Sequence, residues 1–134
     1  MKTPKQVLAE WIQYMNSRNI EKLMELYHPE AVNMQMAVGH PLNGRAAIKA
    51  DYTAYFTNIP DFSMKPQNIF QDGDWGMVEW NADGTFRATG KGFKLSGCGF
   101  FQILNEKIIF QRGYWDRSTL FTQVDLPVDE RNFS

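Results

Sequence analysis

The sequence has few of the residues that build metal sites and covalent cross-links. Its 134 residues include one cysteine, Cys98, and two histidines. A single cysteine cannot form an internal disulfide, and with two histidines it falls short of the four ligands of a structural zinc site. We therefore predict a protein of a reducing compartment that needs no structural metal.

The chain also lacks long apolar runs and an excess of charge of either sign. No apolar run approaches the roughly 18 residues of a membrane span, and charged residues interrupt the N-terminus where a signal peptide would be apolar. The 14 Lys and Arg residues balance 15 Asp and Glu residues. Because the basic residues are scattered singly, they do not form the basic face that nucleic acids require. We predict a cytoplasmic protein that binds neither membranes nor nucleic acids.

Helical spacing of apolar residues dominates the first half of the chain. Thr3, Pro4 and Gln6 have the pattern of a capping box, which predicts a helix from Pro4 to Ser17. A second, shorter helix is predicted after Asn19, with Tyr27 on its apolar side and its end at 28–29, before the proline. An extended stretch at 31–37 and a third helix from 44 to 59 follow.

The second half of the chain has the shorter period of strands. We predict strands at 62–70, 76–82, 85–89, 94–104 and 107–115, separated by turns rich in Asp, Gly and Asn. This order favours an α+β domain over residues 1–124, in which three N-terminal helices pack on a curved antiparallel sheet and leave a cone-shaped pocket. The charged tail, 125–134, is predicted to be loose.

Several local strings stand in the order and spacing of a known family. The most informative are LYHPEAV at 26–32, GRAAI at 44–48, FTNIPDF at 56–62, GCGFFQI at 97–103 and the run from Lys107 to Asp116. With them the chain resembles the SnoaL-like and ketosteroid isomerase-like branch of the nuclear transport factor 2-like superfamily over residues 4–122. The resemblance implies a cone-shaped α+β barrel that is usually dimeric and has no obligatory metal or cofactor. Such folds host cyclases, isomerases, dehydratases, epoxide hydrolases and non-catalytic domains, so function depends on the pocket residues.

The catalytic groups of a ketosteroid isomerase are missing where the resemblance places them. Those enzymes use an aspartate base together with a tyrosine and a protonated aspartic acid. Here the base position falls on Gln35, the acid position on a glycine and the tyrosine position on Trp11, although Tyr14 lies one turn later. The supporting tyrosines are retained as Tyr27 and Tyr52. We therefore reject the standard steroid-isomerase mechanism.

The last predicted strand departs from SnoaL-like cyclases in a similar way. The resemblance implies a glutamate, a histidine and an inner aspartate in this strand, but the chain has Phe110, Gln111 and Gly113 at the corresponding positions. Trp115 and Asp116 are retained. Strand alternation places Asp116 on the outer face unless the strand ends there, so it is either an acid–base group or a carboxylate that is solvated or paired with Arg112 or Arg117.

His40 is our predicted general base. An imidazole titrates near neutral pH without special tuning, and the segment 38–41 crosses the expected mouth of the pocket. A histidine beside a proline turn is more often an ordinary loop residue, so that alternative stays open. Tyr14, Gln111 and Asp116 are the residues that would assist His40.

Aromatic residues make up 14% of the chain, which is typical of a filled core, an aromatic pocket or both. The predicted ligand-binding residues are Trp11, Gln35, Tyr52, Tyr55, Trp80, Phe101, Gln111 and Trp115.

These residues lead to a prediction of function with two alternatives. In the first, the pocket binds a small, largely hydrophobic, ring-shaped or carbonyl-bearing molecule, with isomerase, cyclase or dehydratase chemistry of the acid–base kind. In the second, the protein is a non-catalytic sensing or partner-binding module. A third hypothesis is an epoxide hydrolase, which requires an Asp-Arg-Asp group around one water molecule. Asp51, Arg112 and Asp116 have the residue types for such a group.

A homodimer is expected through the outer face of the sheet. The resemblance implies a dimer, and strand alternation places Cys98, Phe100 and Tyr114 on that face. Covering these side chains with a second subunit would remove them from water.

Overall fold

A computed structural model describes residues 1–126 of the chain. Its helices are α1 (Pro4–Ser17), α2 (Ile20–Glu25), α3 (Arg45–Asn58) and α4 (Arg117–Gln123). Its strands are β1 (Tyr27–Gln35), β2 (Pro41–Asn43), β3 (Ser63–Asp72), β4 (Trp75–Phe86), β5 (Lys91–Leu104) and β6 (Lys107–Trp115). Among these residues there is no helix with both the length and the apolar character that crossing a membrane requires.

Helix α1 forms as the sequence predicts. The Thr3 hydroxyl accepts a hydrogen bond from the backbone N–H of Gln6, and the Gln6 side chain accepts one from the backbone N–H of Thr3. This capping box satisfies two backbone donors that the first turn would otherwise leave unpaired. The apolar face of the helix, which includes Leu8 and Trp11, is buried.

The six strands form one sheet in the order β2-β1-β6-β5-β4-β3. The pairs made by neighbours in sequence are antiparallel, but β1 and β6 run parallel. The predicted antiparallel sheet is therefore corrected to a mixed sheet. The parallel pair arises because β1 and β6 come from opposite ends of the domain, where no hairpin dictates their relative direction.

Three details of the predicted element order are also corrected. Tyr27 begins β1 instead of ending α2, because it pairs with Ile108 in the sheet. The Asp83–Gly84 turn does not exist, since β4 runs through these residues in continuous pairing with β5. The helices are not all N-terminal: a second strand, β2, joins the predicted extended stretch before α3, and α4 follows the last strand.

The core lies between the helices and one face of the sheet. Trp11 of α1 meets Phe101 of β5 edge to face, with ring centroids 4.9 Å apart. Tyr52 and Phe56 bring α3 into the same apolar cluster. Of the predicted loose tail, 125–134, only Asp125 and Leu126 lie within the described residues, and Leu126 packs against the core.

Candidate active site in an aromatic cavity

A cavity of about 290 Å³ lies between α1, α3, α4 and the covered face of the sheet. It brings together all eight predicted ligand-binding residues and the predicted general base. These are Trp11, Gln35, Tyr52, Tyr55, Trp80, Phe101, Gln111 and Trp115, with His40. His40 is exposed, so it lies at the rim.

A hydrogen-bonded cluster of buried side chains borders the cavity, which is lined by three of its members, Trp11, Tyr52 and Gln111. The Tyr27 hydroxyl accepts from Trp11 Nε1 (3.1 Å), donates to Gln111 Oε1 and lies 2.8 Å from the Tyr52 hydroxyl. Burial raises the pKa of Tyr27 and of Tyr52, so both hydroxyls remain neutral donors across the physiological range. Gln111 Nε2 donates to Tyr52 across 3.3 Å and has a second proton for a ligand.

A second chain of hydrogen bonds crosses the sheet beside this cluster. Trp115 Nε1 donates to Gln35 Oε1 (3.2 Å), and Gln35 Nε2 donates to Asn33 Oδ1 (2.7 Å). Gln35 takes this position because Gly113 has no side chain: a Cβ atom there would lie 2.1 Å from Gln35 Oε1. Asn33 is 2% exposed, and its Nδ2 has no hydrogen-bond partner among the described residues. This leaves one amide donor for whatever fills the cavity.

Asp51 of α3 gives the cavity wall a negative charge. It lies next to Tyr52 and one turn before Tyr55, and all three residues line the cavity. Burial raises the pKa of Asp51, whereas the charge of His40 acts in the opposite direction. His40 and Asp51 do not form an ion pair, and no Lys or Arg is among the described residues that line the cavity. Within residues 1–126, no three His, Cys, Asp or Glu side chains converge as metal ligands would.

Two of the predicted catalytic residues lie elsewhere. Asp116 is the N-cap of α4, where its carboxylate accepts from the backbone N–H of Thr119 (3.2 Å). Neither Tyr14 nor Asp116 is among the described residues that line the cavity. The epoxide-hydrolase arrangement fails for the same reason, because Arg112 packs over outer-face rings, away from Asp51.

The comparison with protein families agrees with this architecture. Residues 8–111 match the SnoaL-like domain family. The chain belongs to this SnoaL-like family.

Solved structures with the same fold cover nearly the whole SnoaL-like chain. A hypothetical protein of ketosteroid isomerase-like fold from Catenulispora acidiphila, in complex with trimethylamine, has a TM-score of 0.85 at 20% identity, covering 96% of this chain and 98% of that one. IdmH, a candidate polyketide cyclase from Streptomyces antibioticus, has a TM-score of 0.80 at 23% identity, covering 93% and 100%. An epoxide hydrolase of the LEH-like type from M. tuberculosis has a TM-score of 0.76 at 15% identity, covering 90% and 88%. These likenesses, at 15–23% identity, show the fold of the chain.

The structure adds cavity residues that the sequence analysis did not single out as ligand-binding. Part of the cavity is closed by residues in and just after α4, namely Leu120, Phe121 and Val124. This helix is too short to show a clear helical spacing of apolar residues in the sequence. The positions of Asn33 and Asp51 in the cavity could have been predicted from their spacing to other site residues. Asn33 precedes Gln35 by two residues on β1, and Asp51 precedes Tyr55 by one helical turn, so each shares a face with a predicted site residue.

Proposed function

We propose that the cavity binds one small, largely apolar organic molecule that has a ring and a carbonyl or hydroxyl group. The observation that carries this proposal is the position of two amide donors, on Asn33 and Gln111, within walls of aromatic rings. Pockets of this size and composition hold small organic ligands, with a few polar groups fixing their orientation. The trimethylamine complex of the Catenulispora protein supports the proposal, because it shows a small organic molecule bound by a protein of this fold.

Indanone and its hydrocarbon analogue indane provide a direct test by isothermal titration calorimetry. The two molecules share a ring system and differ in one carbonyl oxygen. We expect saturable binding of both, with indanone bound more tightly. In the Asn33→Leu variant we expect about tenfold weaker binding of indanone and little change for indane, since one hydrogen bond in a desolvated site has about this effect. If neither compound binds the wild-type protein, the proposal is wrong.

Proton transfer at His40 is a second candidate function, favoured by the position of this imidazole at the rim of the cavity. A base there would take a proton from the carbon next to a bound carbonyl group, and the amide donors would hold the resulting enolate oxygen. Exchange of the α-protons of indanone in D₂O, followed by NMR, would measure this step. We expect the protein to accelerate the exchange and the His40→Ala variant to lose about a hundredfold of that acceleration while keeping its affinity. Equal exchange rates with both proteins would favour the non-catalytic alternative.

We also propose a homodimer that covers the outer face of the sheet. Arg112 lies over the rings of Phe100, Phe110 and Tyr114, with distances of 5.7–6.0 Å from its guanidinium carbon to the ring centroids. Its Nε is buried without a hydrogen-bond partner in the described part of the chain, and Tyr114 is 40% exposed. An aromatic surface around an arginine is typical of protein interfaces.

Light scattering after size-exclusion chromatography would test the dimer. We expect twice the chain mass for the wild-type protein and the mass of one chain for Tyr114→Glu, because the new carboxylate would be buried in the interface. Met36→Glu is the matched control: Met36 is 44% exposed and lies outside the strands. A monomeric wild-type protein at micromolar concentration would contradict the proposal.

A further inference from the structure

Asp51 is the one carboxylate among the described residues that line the cavity. It is half-buried and makes no hydrogen bond or ion pair within residues 1–126. A carboxylate in apolar surroundings is unfavourable unless a positive charge or hydrogen-bond donors compensate it. Within the described residues, no positive charge or hydrogen-bond donor compensates the Asp51 carboxylate on the side that faces the cavity.

The groups that face Asp51 do not supply the missing charge. Tyr52 and Tyr55 lie on the same helix as Asp51, and Tyr27 lies on β1. All three tyrosines interact electrostatically with the Asp51 carboxylate, but none of them carries a positive charge. His40, from the segment between β1 and β2, is the opposing charge, but it is exposed at the rim and forms no ion pair with Asp51 within the described residues. Cys98 also borders the cavity, but in β5 it alternates with Gly97 and Gly99 and pairs with Glu79; burial and the Glu79 charge raise the pKa of its thiol, so it supplies no positive charge.

Aromatic rings around a carboxylate form a chemical environment suited to a particular kind of cation. The faces of Trp, Tyr and Phe rings attract an organic ammonium group, and such groups give up their water more readily than a small inorganic ion does. The cavity is lined by Trp11, Tyr52, Tyr55, Trp80, Phe86 and Trp115. A ligand of this kind would bring the positive charge that Asp51 lacks and an alkyl surface that the rings can cover.

We propose that the ligand of this cavity carries an organic ammonium group, which Asp51 and the surrounding aromatic rings bind. This inference rests on the proposed function, because it names the charge of the molecule that the same cavity holds. Asp51 recognises the cation, and Asn33 and Gln111 remain free to bind the oxygen of the ligand.

Choline and its neutral carbon isostere are the probes for this inference. In the isostere a tert-butyl group replaces the trimethylammonium group, so the two molecules have the same shape and differ in charge. Calorimetry with the purified full-length protein should show choline binding at least about tenfold more tightly than the isostere, because a partly desolvated charge pair and cation–π contacts both favour the cation. Equal affinities would overturn the inference and leave the proposed function standing. If choline, the isostere and indanone all fail to bind, the proposed function itself is wrong.

The Asp51→Asn variant assigns the effect to the carboxylate. It keeps the shape of the side chain and should lose about tenfold in choline affinity while binding the isostere as the wild-type protein does. Retained binding of the isostere also shows that the variant is folded. Asp72→Asn is the matched control, since it removes the same charge from an exposed position outside the cavity lining. Unchanged choline affinity in Asp51→Asn would show that Asp51 does not recognise the cation.

The pH dependence of choline binding gives a second, independent readout. Choline is permanently charged, so any change with pH belongs to the protein. As the pH falls, Asp51 loses its negative charge, and this loss weakens the binding of choline. Because burial raises the pKa of Asp51, the loss should begin at a higher pH than for an ordinary aspartate. In Asp51→Asn this loss should be absent; a pH profile identical to that of the wild-type protein would contradict the assignment.

Discussion

Replacing Tyr27 by phenylalanine is expected to lower the free energy of unfolding by about 2–4 kcal/mol. The Tyr27 hydroxyl is fully buried and joins Trp11 Nε1 to Gln111 Oε1. Without it, the indole N–H loses its acceptor and the Gln111 amide oxygen keeps only a 3.4 Å contact with the Tyr52 hydroxyl, and each buried polar group left poorly paired costs about 1–3 kcal/mol. The ring itself is retained, so the loss reports the hydroxyl and not the packing.

Urea denaturation of the wild-type and Tyr27→Phe proteins would measure this effect, with the same slope expected for both. Tyr14→Phe is the matched control on α1, because the Tyr14 hydroxyl makes no hydrogen bond within the described residues and its removal should change stability by less than about 0.5 kcal/mol. A stability equal to that of the wild-type protein would mean that the cluster re-pairs around the missing oxygen.

Adding Gln111→Leu to Tyr27→Phe should distinguish an unpaired acceptor from a simple loss of hydrogen bonds. In the double variant the amide oxygen is gone, so one of the two unsatisfied groups disappears with it. We expect the double variant to lose less stability than the sum of the two single losses. Replacing both partners of a buried hydrogen bond by apolar groups destabilises a protein less than removing one partner and leaving the other unpaired. Additive losses would contradict the central role of the Tyr27–Gln111 contact.

The parts of the fold that the sequence predicts are those with local causes. The capping box of α1 and the apolar spacing behind it place that helix correctly at both ends. The Asn-Glu turn between β5 and β6 is also where the sequence places it, at Asn105 and Glu106. The cavity residues follow from two periodicities, a helical one for Trp11, Tyr52 and Tyr55, and strand alternation for Gln111 and Trp115.

The parts that the sequence does not predict depend on contacts between distant segments. The apolar spacing predicts Tyr27 as the last residue of the apolar face of a helix. In the structure it is the first residue of a strand, because it pairs with Ile108 and its hydroxyl accepts a buried hydrogen bond from Trp11. The residue types Asp83 and Gly84 predict a turn. Pairing with β5 on one side and with β3 on the other keeps this segment extended instead. Local propensity is overridden in both cases, because the neighbouring strands satisfy the backbone hydrogen bonds of the segment.

Asp116 illustrates a different limit, in which one residue type fits two roles. A carboxylate after the last strand is compatible with acid–base chemistry, and it is equally a good N-cap. The structure shows the second use, in which Asp116 starts α4, and α4 in turn adds Leu120 and Phe121 to the cavity wall. The residue shapes the site indirectly by fixing the start of the helix that closes it.

Gly97→Ala is expected to destabilise the protein by about 1–3 kcal/mol, the usual cost of overpacking a core. A Cβ atom at Gly97 would lie 2.5 Å from Trp80 Cζ2 and 2.6 Å from the backbone oxygen of Tyr114. The indole lines the cavity, and the backbone oxygen belongs to the paired strand β6. Gly92→Ala in the same strand is the control: its Cβ would meet no atom closer than 3.7 Å, and alanine in a strand is favoured over glycine by about 0.5–1 kcal/mol. Urea denaturation should therefore show the same substitution lowering stability at Gly97 and maintaining or raising it at Gly92. A Gly97→Ala protein as stable as the wild type would mean that Trp80 has room to move, and the cavity wall would then be less rigid than its contacts indicate.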